Sequence, residues 1–523
     1  MSPPIPKKIA TIKLLDEVNA LVSGLRIADL NLLYDQYGLP AKNHFFDPRF
    51  KLERWDGKIR FFSKGGKTYL QLLPEIMESL QEWGYKIKLV DTRFPFDITI
   101  DPIDENYFSH YGWTLGSHQV KAVNAILETH SGIIRVGTGG GKTLITAVIC
   151  HAYLKKGIKL IVIVPNEDLV LQTAQEIGGF DFSVGVYYGR KKETDKEVIV
   201  STWQSLNVNS KILSLFGGII VDECHGTNTK TKLAGLMGKE GRNHPVRIGL
   251  TGTLPDYHTD KMTVLCHLGP VRAVIPSSEL IEKGWLSQLN LVMYQFSEDF
   301  QHEYKEYVNS LPDDHDNKNI TYTQFKNKII FPVYDAEKKY LNSNEDRLEV
   351  VTEFIKRVTE QNGNTFILVN TIAMGTKIAK MLGDNAVYIS SKNKNRKDIY
   401  DMFETETGII GIATMSLAST GLNIPRIFNL ITIDQSKAYI RVVQTIGRGL
   451  RKANDKDTVN VFDICSDTKY AKRHITQRKK IFKKEKYPYK ICKVNYNFPD
   501  AVEKMLKEAN KAKQEKLVAG AFE

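Results

Sequence analysis

Residues Val136 to Thr143 read VGTGGGKT. A stretch so poor in side chains, ending in a lysine and a hydroxyl, can bind oxyanions, because backbone N–H groups reach phosphate oxygens only where no Cβ intervenes. A glycine-rich loop can also be a plain turn, so the flanks decide. Before it, SGIIRV is a short β-branched run of the kind that forms a buried strand. After it, TLITAVICHAYLKKG carries helical spacing and closes on Gly157, a C-terminal cap. Strand, glycine loop, Lys-Thr and helix together make a phosphate-binding loop. Thr138, Gly139, Gly140 and Gly141 would wrap the phosphates at the positive end of the helix. Lys142 would reach the β- and γ-phosphates of a nucleotide, and the Thr143 hydroxyl would hold Mg²⁺. The full pattern wants glycine where Val136 stands, so the match is to the shorter T-G-x-G-K-T form.

Further along, GGIIVDECH places Asp222, Glu223 and His225 where another apolar strand ends. A nucleotidase needs one carboxylate to steady Mg²⁺ and a second to position and deprotonate the attacking water. Acidic pairs are common on loop surfaces. Here the strand before the pair and the phosphate loop upstream give it weight, with Asp222 as metal ligand and Glu223 as base.

From about Leu115 to Asp463, apolar strands alternate with helical patterns, which implies parallel sheets covered on both faces. The run GIIRV, KLIVIVP, VGVYYG, EVIVST, GGIIVDE, VRIGLTGT forms a first α/β unit, and TFILVN, AVYISS, GIIGIAT, LITID, VNVFDI a second. Between them, Asp299 to Arg347 is polar and helical in pattern. Ahead of them, TIKLLD and KIKLVDT read as strands, and IADLNLLYDQYG and LPEIMESLQEWG as helices. FKLERW, KIRFF and TYLQLL read as a three-stranded meander joined at Asp56-Gly57 and SKGGK. The boundaries that follow are 1–95 for a small α+β accessory domain, 106–297 and 347–468 for the two α/β units, 298–346 for a helical insertion, and 469–523 for a basic C-terminal extension.

Composition is that of a soluble globular protein, 42% apolar and 25% charged. No apolar run reaches membrane-span length, and MSPPIPKKIA lacks the apolar core of a secretory signal. The five cysteines are scattered without a CxxC pair, which argues against a disulfide framework or zinc site. A cytoplasmic protein without membrane partners is expected. The net charge of +12 is concentrated at the end: residues 469–523 hold 16 Lys and Arg against 6 Asp and Glu. Such a surplus is either a solvated helix face or a contact for a phosphate backbone.

The ordered set of motifs resembles the superfamily 2 helicases and translocases of the DExH type. Gln119 in LGSHQ matches the adenine-reading glutamine. VPNEDLVLQ, with Pro165, Asn166 and Gln172, and STWQSL, with Thr202, Trp203 and Gln204, look like the strand contacts of the first motor domain. TGT, Thr251 to Thr253, resembles the motif that couples hydrolysis to movement. ASTGLNIP supplies Thr420 as a strand contact and Gly421 and Asn423 as nucleotide contacts. QTIGRGLR carries Gln444, Arg448 and Arg451 in the Q-x-x-G-R-x-x-R pattern, whose arginines stabilise charge on the transferred phosphoryl group. The resemblance implies two RecA-like parallel-sheet motor domains in tandem, ATP and Mg²⁺ as cofactors, and nucleic acid as partner.

A closer resemblance lies in the first hundred residues. Pro48-Arg49-Phe50, Trp55-Asp56-Gly57 and Trp83-Gly84-Tyr85 are similar to the N-terminal domain of bacteriophage UvsW-type branch-migration helicases. EKGWLSQL resembles both those enzymes and XPB-like helicases. The implied activity is an ATP-dependent DNA helicase or translocase acting on forked, four-way or duplex DNA, and on RNA–DNA hybrids, as a monomer in a host cytoplasm. Two other readings stand beside it: a translocating subunit of a repair or restriction complex, and an ATP-gated nucleic-acid clamp. The accessory domain lies wholly before Gln119, so the nucleotide site is expected to form without it.

Overall fold

The strand ahead of the glycine loop, Ser131–Val136, sits one place from the edge of an eight-stranded sheet. The computed structural model describes residues 8–227, 232–313, 315–390, 396–415, 426–434 and 455–519. It divides into two compact units, Met1–Ile275 and Pro276–Glu523. In the first unit the strand order is Lys191–Lys192, Val184–Tyr188, Val198–Thr202, Leu160–Val164, Gly218–Val221, Val246–Thr251, Ser131–Val136, Val271–Ile275. The first pairing is antiparallel and all others are parallel. Leu160–Val164, Gly218–Val221 and Val246–Thr251 are buried along their whole length, as strands covered by helices on both faces must be. Because the strands run parallel, the loops after Val136, Val164, Thr202, Val221 and Thr251 all emerge at one edge of the sheet.

The first hundred residues form a four-stranded sheet, ordered Lys67–Tyr69, Asn19–Ser23, Ile9–Leu14, Lys86–Asp91. Helices Ile27–Gln36 and Leu73–Glu82 supply Leu33, Ile76 and Leu80 to its core. The expected meander is not formed. Pro48–Lys51 is a short helix whose N-cap Asp47 accepts the Arg49 N–H, and Pro48 suits the first helical position. Lys58–Arg60 pairs with Gly38–Pro40, and Lys67–Tyr69 pairs with Asn19–Ser23. Local capping chemistry overrides the alternating pattern of FKLERW, and the strand partners lie too far along the chain for local periodicity to reveal.

This domain is built into the first unit. Met262 and Cys266, from helix His258–Leu268, pack into its core. Thr259 Oγ1 donates to the Pro40 carbonyl at 2.5 Å, and the Glu17 N–H to the Arg242 carbonyl at 2.9 Å. The buried Arg247 guanidinium donates to the carbonyls of His244 and Glu17, each at 2.6 Å, and of His267 at 3.3 Å. A nucleotide domain that forms without residues 1–95 does not fit this interface, since their loss would strip partners from Arg247 and Thr259 and uncover Cys266.

The second unit holds a parallel seven-stranded sheet ordered Ala386–Ile389, Ile410–Thr414, Thr365–Val369, Asn429–Ile433, Thr458–Ser466, Gln288–Phe296, Tyr489–Val494. Two of these strands lie on the far side of the boundaries read from sequence. Those boundaries place Gln288–Phe296 in the first α/β unit and Tyr489–Val494 in the basic extension. Helix Ala501–Ala519 also belongs to this fold: its Met505 carbonyl accepts from Tyr294 Oη at 2.7 Å, and its Ala509 carbonyl from Asn290 Nδ2 at 3.3 Å. In Tyr489–Val494 the buried Cys492 and Val494 alternate with the exposed Ile491 and Lys493, so charge count alone mistakes an edge strand for a tail. In the 298–346 segment, helices Gln301–Ser310, Tyr322–Phe325 and Tyr334–Ser343 gather around Phe300, Ile320, Phe325 and Phe331. Arg347 is fully buried, 2.8 Å from Asp434 and 3.7 Å from Glu298.

Candidate nucleotide site

The glycine loop leaves its strand at Val136 and turns directly into helix Lys142–Leu154. Gly139 at φ +85° and Gly141 at φ +79° take left-handed backbone that a side chain would strain. A Cβ on Gly141 would also strike the Gln119 amide nitrogen. The first N–H groups of the helix have no intrahelical acceptor, so they remain for an anion cradled by the loop. The Thr138 hydroxyl is buried beside them without a hydrogen-bond partner.

Gln119 lies in the first turn of helix Ser117–Thr129. Its side-chain carbonyl accepts the Gly116 N–H at 2.9 Å, and its amide nitrogen lies 3.5 Å from the Gly140 carbonyl. His118 Nε2 stands 3.3 Å from the same carbonyl. Reasoning from sequence passes over His118, although its place beside Gln119 in a capping turn is the available signal.

Three loops of the sheet edge meet at Glu223. Lys142 Nζ is 3.2 Å from its Oε1. On the other side, His225 Nδ1 is 3.2 Å and Thr251 Oγ1 3.4 Å from its Oε2. His225 Nδ1 and Thr251 Oγ1 are themselves 3.0 Å apart. Glu223 has φ +48°, a costly conformation for a non-glycine residue, and one kept where the surroundings enforce it.

The two adjacent acids are pushed in opposite directions. Burial, reinforced by the neighbouring Glu223 charge, raises the Asp222 carboxyl to about 6 against the pull of Lys142. Burial disfavours charge on Glu223 too, but Lys142 and His225 outweigh it and hold that carboxyl well below the usual range. Glu223 is therefore an anion at neutral pH, poised between a cation and a hydroxyl. Asp222 Oδ1 is buried without a hydrogen-bond partner, an acceptor suited to a metal ion or its bound water. Such divergence of neighbouring carboxyls marks chemically used sites.

The proposed strand contacts emerge from the same edge. Asn166 caps helix Glu167–Ile177 by accepting the Leu169 N–H, and Gln172, on that helix, donates to Glu176 at 2.7 Å. Thr202 caps helix Trp203–Val208 and is buried, while Trp203 packs against the sheet core, so these two serve the fold first. Gln204 is exposed, with its amide 3.5 Å from the Pro165 carbonyl, which links the two segments. Thr420, Gly421, Asn423, Gln444, Arg448 and Arg451 lie outside the described residues.

Residues 113–256 match the family profile described as "Type III restriction enzyme, res subunit", and residues 346–453 match "Helicase conserved C-terminal domain". Across these regions the chain resembles the superfamily 2 helicases. It is an ATP-dependent helicase, and the two parallel-sheet units are its tandem helicase domains. It is 25% identical over 483 residues to the ATP-dependent DNA helicase uvsW of Enterobacteria phage T4, covering 86% of this chain and 89% of that one. It is 20% identical over 398 residues to the DNA 3'-5' helicase XPB of Mycobacterium tuberculosis, covering 73% and 66%. Among solved structures, S. cerevisiae Dbp5 bound to RNA and ADP BeF3 aligns over 77% of this chain and 95% of that one, with TM-score 0.51 and 15% identity, a likeness of fold. Among the described residues of this helicase, no helix is long and apolar enough to cross a membrane.

Proposed function

We propose that this helicase is an ATP-driven DNA motor that unwinds or branch-migrates forked and four-way DNA in replication, recombination and repair. RNA–DNA hybrids are a further substrate class, and the working form is a monomer. The observation that carries the ATP chemistry is the Glu223 carboxylate between Lys142, His225 and Thr251. Similarity to a phage DNA helicase over most of both chains supports the choice of DNA.

Thr143 and the spare oxygen of Asp222 would hold Mg²⁺, which supplies neutralising charge to the phosphates. The loop N–H groups and Lys142 bind the β- and γ-phosphates, and Gln119 binds the base. When Lys142 turns to phosphate, Glu223 loses its cation partner and accepts a proton from the attacking water. Thr251 and His225 hold Glu223 in place and pass its state to the TGT loop. Arg448 and Arg451 stabilise the transferring phosphoryl group. Asn166, Gln172 and Gln204 line the path of one strand.

The test is ATPase and strand displacement measured on matched single-stranded, duplex, forked and four-way substrates. DNA-stimulated turnover with displacement of forked and four-way arms is expected. Turnover without displacement would favour a translocating subunit, and ATP-dependent binding without turnover a clamp.

A further inference from the structure

The accessory domain carries a protrusion that the nucleotide chemistry does not use. Residues 41–57 leave the strand Gly38–Pro40 and return as Lys58–Arg60, with Pro40 and Lys58 paired across its base. At its tip the rings of Phe45 and Phe46 stand next to each other in solvent, 59% and 72% exposed. Aromatic side chains that bare are costly unless something covers them.

The rings sit on a stiff mount. The Ala41 N–H donates to the Gly57 carbonyl at 2.7 Å, and His44 Nδ1 lies 2.8 Å from the Ala41 carbonyl. The His44 ring packs edge-on to Phe50, centroids 4.8 Å apart, and Trp55 Nε1 donates to the Lys58 carbonyl at 2.9 Å. The base is tied to the motor through Pro40, whose carbonyl accepts from Thr259. The tip therefore keeps a fixed position on the first motor domain.

The surrounding charge indicates what covers it. Asp47 is occupied by Arg49, and Asp56 by Arg60. Of the exposed charges left over in 41–57, Lys42, Lys51 and Arg54 outnumber the single acid Glu53, and none of the four has a salt-bridge partner among the described residues. Exposed rings flanked by free cations match single-stranded nucleic acid, where bases stack on the rings and phosphates meet the cations. An apolar protein partner would not need the cations.

We propose that Phe45 and Phe46 are a base-stacking wedge that takes the first unpaired bases where a duplex opens. This rests on the reading of the chain as a DNA motor and names its strand-separating element. A motor that pulls one strand past a fixed aromatic tip converts each step into loss of a base pair.

The test uses the full chain and a forked duplex carrying 2-aminopurine at its first paired positions. The double variant Phe45→Ala/Phe46→Ala should lose fork-dependent quenching and unwind the fork at least about tenfold more slowly, the scale of one or two missing stacks. Its ATPase on saturating single strand should stay within about twofold, because the contacts of the nucleotide site around Glu223 draw on neither ring. Phe45→Trp/Phe46→Trp should keep both activities. Wild-type quenching and unwinding in the alanine variant would overturn the wedge and leave the rings to a protein partner. Loss of single-strand ATPase in that variant would also overturn it, by assigning the rings to the motor itself. Failure of the DNA-motor reading would show separately, as no stimulated ATPase in the wild-type protein.

Discussion

Replacing Arg247 with alanine tests whether the accessory domain is part of the motor or a detachable module. Arg247 is the second residue of the strand Val246–Thr251 and is buried. Burial lowers its pKa to about 10, which leaves it charged at neutral pH. Its guanidinium serves three carbonyls, of which that of Glu17 belongs to the accessory domain. Hydrogen bonds to charged groups contribute about 1.5–3 kcal/mol each, and truncating one side of a buried charged cluster costs about 3–5 kcal/mol. Taking about 3–5 kcal/mol as the loss, and about 2–4 °C per kcal/mol for a unit of this size, Tm should fall by roughly 6–20 °C. Arg247→Lys should fall in between, since one ammonium cannot span three acceptors. Added salt should rescue neither, because the site is shielded from solvent. The assay is a thermal scan with a urea titration of the full chain, reading Tm and midpoint. A loss below about 1 kcal/mol would refute the reasoning, since the interface would then carry little of the fold. On the same argument, a chain starting near Asn106 should be insoluble rather than a working single-strand ATPase.

Lys142→Ala should abolish ATP hydrolysis while DNA binding, measured by fluorescence anisotropy, survives. Glu223→Gln should bind ATP yet turn over about 10² or more times slower for want of a base, whereas Asp222→Asn should show weakened Mg²⁺-dependent binding in a metal titration. Helix Lys469–Lys484 buries Ala471, Ile475, Arg478, Ile481 and Phe482 and exposes Lys472, Arg473, Lys480 and Lys483. Changing those four exposed cations to glutamine should flatten the slope of log K against log salt by about 0.9 for each phosphate left unneutralised, and an unchanged slope would make them plain solvated surface. In the second unit, burial raises the Asp434 carboxyl to about 6, with Arg347 opposing and Glu298 adding to the shift. The folded state then binds more protons than the unfolded chain between about pH 4 and 6, so this group's contribution falls as pH rises through that window, by up to about 3 kcal/mol. Urea midpoints at pH 4.5 and 7.5 should therefore converge in Asp434→Asn relative to wild type.

Local patterns carry the chemistry. A phosphate loop needs contiguous glycines, a lysine and a helix start, so VGTGGGKT declares itself within eight residues. Most strands of both sheets are legible for the same reason: buried parallel strands are short unbroken apolar runs. Reading fails where partners lie far apart in the chain. KIRFF and TYLQLL look like neighbours yet pair with Gly38–Pro40 and Asn19–Ser23. Gln288–Phe296 and Tyr489–Val494 pair with each other across almost two hundred residues, and no local signal assigns either to the second sheet. Tertiary structure also decides how the acids divide their work. DE in a sequence is two like charges, and Glu223 becomes the anion because Lys142 arrives from the glycine loop to join His225 of its own turn. The chain's own order specifies which groups are present. Their pKa values, and the fixing of the accessory domain to Arg247, come from distance and burial, which exist only once the sheet has brought its loop ends to one edge.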